Sequence, residues 1–209
     1  MYDAHRIETV EELRSFYRPP GQLTANKERP ALDEATCAFV NATRFAVVGT
    51  FDADGNADVS PRGGPSGFLR VLDEAHVAIA DFGGNNRLDT LQNVISTGRI
   101  GLLILVPGQS ETVRINGAAW LSADPDLLAG FTLPRVPKSA IVVRVETTYV
   151  HCAKAFRRGG MWEPDMWAEL ATTPDGAAIL SCQRVADMNA DEMRARLEAD
   201  YDAALAAER

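Results

Sequence analysis

Ile100-Gly-Leu-Leu-Ile-Leu-Val106, then Pro107-Gly108, then Glu111-Thr-Val-Arg-Ile-Asn-Gly-Ala-Ala-Trp-Leu121 is the stretch that decides the fold. The first run is almost unbroken in apolar residues and too short for a long helix, which reads as a strand. In an antiparallel protein such a strand belongs in a barrel wall, with its outer side against a subunit contact. Pro107-Gly108 turns the chain. The second run alternates. Val113, Ile115, Gly117, Ala119 and Leu121 share one face, and Thr112, Arg114, Asn116, Ala118 and Trp120 share the other.

Upstream, Phe45–Phe51 is rich in β-branched and aromatic residues, Asp52-Ala-Asp-Gly-Asn56 is a turn cluster, and Ala57–Arg62 returns as a hairpin strand. After Gly63-Gly-Pro-Ser-Gly67, Phe68–Leu72 and His76–Ala80 make another pair, and Ala140–Val150 is a further strand downstream. Helical spacing marks Glu8–Arg18, with Leu13, Phe16 and Tyr17 as its apolar side, stopped by Pro19-Pro20-Gly21. It also marks Asp33–Thr43, burying Cys37, Phe39 and Val40, and Asn86–Thr97, with Leu88, Leu91 and Ile95 on one face. The last helix, Asp191–Ala207, carries Met193, Leu197 and Tyr201 at intervals of four, and Asn189 and Glu192 precede it at capping-box spacing. The expected class is mainly β with flanking helices: six or more antiparallel strands, one helix after the fourth, in a small closed or half-open barrel with the end helices on its rim. No repeat or linker divides the chain. Residues 1–209 read as one domain with N-terminal helices over about 8–43 and a C-terminal helix over about 191–207.

Composition narrows the function. The chain has 209 residues, 46% of them hydrophobic, which excludes a disordered segment. With 21 basic and 29 acidic residues, the net charge of −8 argues against a nucleic-acid partner, though not against a small anion held by a few arginines. Cys37, Cys152 and Cys182 are odd in number and far apart, which suits free thiols in a reducing cytoplasm. His5, His76 and His151 have no zinc-ligand spacing. Met1–Val10 is polar, unlike a secretory signal, and the strongest apolar run, Leu102–Val106, is too short to cross a bilayer. No membrane association is expected, and the chain reads as cytoplasmic.

Four constellations could carry chemistry. In Asp58-Val-Ser-Pro-Arg-Gly63, a strand period of two puts Asp58, Ser60 and Arg62 on one side, where a hydroxyl and a guanidinium can share a phosphate. A solvated hairpin edge has the same pattern. In Gly83-Gly-Asn-Asn-Arg-Leu-Asp89, glycines lead into an Asn cap and a helix start, whose free N–H groups favour an anion. Arg87 in the first turn opposes the helix dipole unless an anion sits beside it, whereas a plain cap with a surface Arg is the simpler alternative. Thr112, Arg114 and Asn116 could read a flat heterocycle, or face solvent. In His151-Cys-Ala-Lys-Ala-Phe-Arg-Arg158, adjacent His and Cys point apart on a strand. A structural histidine and a buried thiol are expected, with Lys154 and Arg157 as further anion contacts or a solvated turn. GxGxxG after a strand, Walker, GxSxG and HExxH motifs are absent, which argues against dinucleotide folds and the common hydrolases.

Val59-Ser-Pro-Arg-Gly63, Gly67-Phe-Leu-Arg-Val-Leu72, Asn85-Asn-Arg-Leu-Asp89, Arg99-Ile-Gly-Leu-Leu103, Pro107-Gly108, Glu111-Thr-Val-Arg-Ile-Asn-Gly117 and His151-Cys-Ala-Lys154 occur in this order. As an ordered set over about residues 30–165 they resemble the pyridoxamine 5′-phosphate oxidase-like, FMN-binding split-barrel family, in its bacterial branch with S-P-R-G and N-N-R-L-D motifs. The resemblance implies a six-stranded antiparallel split barrel and a homodimer with FMN at the subunit interface. It implies flavin contacts from Val59, Ser60, Pro61 and Arg62, phosphate contacts from Asn86 and Arg87, and ring-side contacts from Thr112 and Arg114, often across subunits, with Lys154 as an added anion contact. Where the vitamin B6 pathway oxidase has an Arg-x-x-x-Leu-Lys run, this chain has Asp58-Val-Ser-Pro-Arg-Gly63, and the C-terminal Arg-Leu-His-type motif is missing. The expected function is an FMN-dependent oxidoreductase acting on a small molecule other than pyridoxamine 5′-phosphate, with the redox chemistry on the flavin and no side chain required as acid or base. The alternatives are a flavin carrier or sensor without turnover, or a relative that holds heme or a deazaflavin.

Overall fold

In the computed structural model the described residues are 5–84, 86–170 and 172–207. Met1–Ala4 of the polar start and Asn85 of the N-N-R-L-D motif lie outside them. Three short helices, α1 (Val10–Ser15), α2 (Gln22–Ala25) and α3 (Glu34–Ala42), lead into β1 (Phe45–Phe51), β2 (Ala57–Gly63), β3 (Leu69–Asp73) and β4 (His76–Asp81). Helix α4 (Asp89–Thr97) follows, then β5 (Arg99–Leu105), β6 (Thr112–Ser122), α5 (Pro125–Ala129) and β7 (Ser139–His151). The chain closes with α6 (Lys154–Arg158), a 3₁₀ turn over Pro164–Leu170, α7 (Gly176–Cys182) and α8 (Ala190–Ala207). The expected strands are all present within one or two residues of their ends.

One antiparallel sheet of seven strands, ordered β2-β1-β5-β6-β7-β4-β3, replaces the six expected from the resemblance. Strands β2 and β3 are the two ends of the sheet, each with a single partner, β1 and β4. The alternation of apolar residues decides which side is inside. Ala46 and Val48 of β1, Ile100, Leu102 and Ile104 of β5, Val113 and Ile115 of β6, and Ile141 and Val143 of β7 form the core, together with Val40 of α3 and Leu91 and Val94 of α4. Strand β4 is buried on both faces. Val77 and Ile79 join the main core, while Ala78 and Ala80 pack with Leu128, Phe131 and Ala140.

Between β6 and β7 the register slips. Asn116 lies opposite Thr147 and Gly117 opposite Val145, leaving Glu146 as the extra residue of a bulge. A Cβ on Gly117 would lie 1.9 Å from the Arg144 carbonyl oxygen, so only glycine fits. The bulged Glu146 is aimed at Arg99, which grips it through both terminal nitrogens at 2.9 and 2.7 Å.

At the far end, Asn189 and Glu192 form the expected capping box, with both reciprocal backbone bonds in place at 2.9 and 3.0 Å. Asp175 caps α7 through the Ala178 N–H at 2.9 Å and accepts from Arg194 of α8 at 2.8 Å, which ties the two helices together. Among the described residues no helix is long and apolar enough to cross a membrane. The first helix is shorter than expected, and the apolar residues Leu13, Phe16 and Tyr17 are exposed, with nothing among the described residues burying them.

Candidate functional site

Strand β2 is an edge strand and pairs only with β1. Asp58, Ser60 and Arg62 are half-buried on its inner side, while Val59 and Pro61 face outward. Pro61 is tolerated because an edge strand can lack one N–H. The sheet rolls so that β2 and the end of β4 line the same cleft, about 450 Å³ in volume. That size suits a cofactor or small-ligand site. Val59, Ser60, Pro61, Arg62, Asn86 and Arg87 all line it, so six of the expected site residues converge.

Arg62 donates from Nη1 to Ser60 Oγ at 2.8 Å and to the Pro61 carbonyl at 3.3 Å. Its Nε is buried without a hydrogen-bond partner among the described residues. A buried donor left unmet costs about 1–3 kcal/mol, so a ligand acceptor in the cleft has a ready place. Asp81, at the end of β4, and Lys138, just before β7, also line the cleft. Burial pushes the Asp81 carboxyl pKa up, and the Arg62 and Lys138 charges pull it part of the way back. Neither residue was expected from the sequence. The available signal was an acid closing the apolar run His76–Ala80 just before Phe82-Gly83-Gly84, and a lysine at the foot of Ala140–Val150.

Asp58 fixes the geometry of this wall. Its Oδ2 accepts from Thr90 Oγ1 of α4 at 2.8 Å and from Thr50 Oγ1 of β1 at 3.4 Å, and Asn93 Nδ2 donates to Thr50 Oγ1 at 3.1 Å. The carboxylate thus locks strand to helix, and it sits at the helix end where negative charge is favoured.

The helix start differs from the expectation. Asn86 and Leu88 have φ of 59° and 62°, and α4 begins only at Asp89, with Leu88 as its cap and no side-chain capping bond. Arg87 therefore lies just before the cap rather than in the first turn, and its Nε bonds Asp89 Oδ2 at 2.8 Å. The inward face is Thr90, Leu91, Asn93 and Val94, while Leu88, which precedes the helix, and Ile95 are exposed.

Thr112, Arg114 and Lys154 do not line the cleft of their own chain. Thr112 is buried opposite His151, and Arg114 faces outward from β6 and donates to the Tyr149 hydroxyl at 2.9 Å. Lys154 is exposed at the start of α6. Cys152 is exposed rather than buried, because β7 ends at His151 and the thiol falls in the turn beyond it. His151 is half-buried. Burial first, then the charges of Arg114 and Lys27, lower its pKa below the usual histidine range.

A rolled antiparallel sheet with a mixed-charge cleft at its seam is the architecture of a split barrel. The family model described as pyridoxamine 5′-phosphate oxidase matches residues 32–152, more than half of the chain, and the protein belongs to that family. No curated protein matches the sequence. Among solved structures, the chain is similar to HupZ of Group A Streptococcus, at 18% identity over 57% of this chain and 93% of that one, with a TM-score of 0.45. It is also similar to General Stress Protein 26 of Bacillus anthracis, at 14% identity over 54% and 88%, TM-score 0.42. A FAD-binding protein of Mesorhizobium loti is similar at 15% identity over 60% and 99%, TM-score 0.39.

Proposed function

We propose that the protein binds FMN in this cleft and acts, as a homodimer, as a flavin-dependent oxidoreductase on a small molecule. The observation that carries the reading is the buried Nε of Arg62, without a partner among the described residues, on a strand face shared with Ser60 and in a cleft that Lys138 also lines. This donor set suits one phosphate group. The chain has no adenosine-binding glycine fingerprint after a strand, which favours FMN over FAD.

In this reading Arg62, Ser60, Asn86 and Arg87 hold the phosphate, and the β2 backbone at Val59 and Pro61 runs beside the ring. Bound FMN would supply the acceptance and donation of electrons. Lys138 and Arg62 offset the negative charge of the phosphate, and Asp58 keeps β2 and α4 at a fixed separation. Asp81, with its raised pKa, is the group in the cleft best suited to hold a proton. A second copy supplies Arg114 and Lys154, which do not line the cleft of their own chain, whereas Thr112 is buried within its own sheet. Its contact surface is the outer sheet face: Val47 pairs with Pro61 on one side and Leu103 on the other, and none of the three is fully buried. Pyridoxamine 5′-phosphate is a poor substrate in this reading, because the early-strand lysine and the C-terminal motif are missing. Paired titrations with FMN and riboflavin test the phosphate assignment, and reduction by NADH or NADPH separates turnover from a carrier.

A further inference from the structure

Lys27, Arg114 and His151 gather around one tyrosine on the outer side of β6 and β7, apart from the cleft. The register brings them together. Arg114 lies directly across from Tyr149 and Thr112 directly across from His151, so these side chains share a face. Lys27 is delivered by the N-terminal chain, which Arg29 pins to β7 through two backbone bonds with Thr148, 3.0 and 2.8 Å long. The Arg114 guanidinium lies 5.5 Å from the Tyr149 ring centre and the Lys27 ammonium 4.6 Å from it. The His151 ring centre is 5.0 Å away.

The charges in this group are uncompensated. Among the described residues neither Arg114 nor Lys27 forms an ion pair. Lys27 makes do with the Val150 carbonyl at 3.0 Å, and Arg114 with the Tyr149 hydroxyl. His151 Nε2 is buried and, among the described residues, has no hydrogen-bond partner. Two cations beside a buried, unsatisfied ring nitrogen repel one another unless a negative group joins them.

We propose that Lys27, Arg114 and His151 form an anion-binding subsite for a small carboxylate or phosphate group. If Arg114 faces the cleft of a second copy, as proposed above, the subsite holds the anionic end of the substrate. That assignment rests on the dimer reading, and the anion site does not.

The test is a histidine ¹H–¹³C NMR titration of the full-length protein with inorganic phosphate and, separately, acetate. With three histidines in the chain, His151→Gln assigns the signal. The His151 signals should move saturably while those of His76 stay still, and the anion that saturates at lower concentration identifies the preferred group. Lys27→Gln and Arg114→Gln should each raise the half-saturating concentration about tenfold or more. Arg62→Gln, in the cleft, should leave it unchanged. Immobile His151 signals with both anions overturn the proposal, as expected if a carboxylate of a second copy already fills the spot. So does an unchanged response in both the Lys27 and Arg114 variants, or its loss in Arg62→Gln. Failure to find flavin in the protein would sink the reading of the cleft and leave this titration unaffected.

Discussion

Arg62 is where the cleft's chemistry is most concentrated. A charge-assisted hydrogen bond contributes about 1.5–3 kcal/mol, so Arg62→Gln should weaken FMN by about 10- to 100-fold and hardly change riboflavin, which has no phosphate. Arg87→Ala should show the same selectivity with a smaller loss, because its side chain is 73% exposed and engaged with Asp89. Equal losses for both ligands would remove either residue from the phosphate. Histidine 151 makes a pH prediction. Its folded-state pKa lies below the ordinary 6.5, so below that pH the unfolded chain takes up a proton that the native chain refuses. Its contribution is fully present above about pH 6.5 and is lost as the pH falls towards the depressed value. Urea unfolding in buffers of low anion content should therefore show wild type losing more stability than His151→Gln between pH 7 and pH 5.5. The Asp33, Asp73 and Asp175 carboxylates, all lowered by hydrogen bonds, act only in more acidic solution. The face shared by Asp58, Ser60 and Arg62 was legible at this scale because a strand's period of two is rigid. Asp81 and Lys138 were not, since they come from segments about 20 and 75 residues beyond that strand and meet it only when the sheet rolls.

Among the elements, strands were the most readable. Phe45–Phe51 matches to the residue, because β-branched runs bounded by Asp and Gly turns leave little freedom. The start of α4 was misread because Asn86 and Leu88 take left-handed backbone angles, and a leucine at a cap gives no chemical sign of itself. The β6–β7 bulge was hidden too. An extra residue in one strand leaves the alternation of the other intact, and Gly117 looked like an ordinary member of the inner face. Gly117→Ala should cost about 3 kcal/mol or more, since the clash is with backbone that cannot give way. Gly101→Ala is the matched control. Its Cβ would meet Asn116 Oδ1 at 3.2 Å, a side-chain atom that can move, so thermal melting should register a much smaller change. Comparable losses in the two would mean that the bulge does not constrain the sheet as described.

For the whole molecule, the apolar run at Ile100–Val106 announced a barrel wall, and its inner residues are indeed core. The subunit contact expected on its outer side is a property of two chains, and it stands as a proposal. Leu103→Asp places a charge at the centre of the proposed contact. In light scattering it should shift a dimer towards monomer, and it should weaken flavin retention, because Arg114 would no longer reach the partner's cleft. A wild-type protein that is monomeric with flavin bound would contradict the shared site.

The most direct test of the account is the visible absorption spectrum of the purified protein, before and after saturation with added FMN, with mass spectrometry of the released cofactor. The account predicts a flavin band and a released molecule with the mass of FMN. A Soret band, a deazaflavin, FAD, or a protein that stays colourless after incubation with excess FMN and removal of the unbound ligand would contradict it.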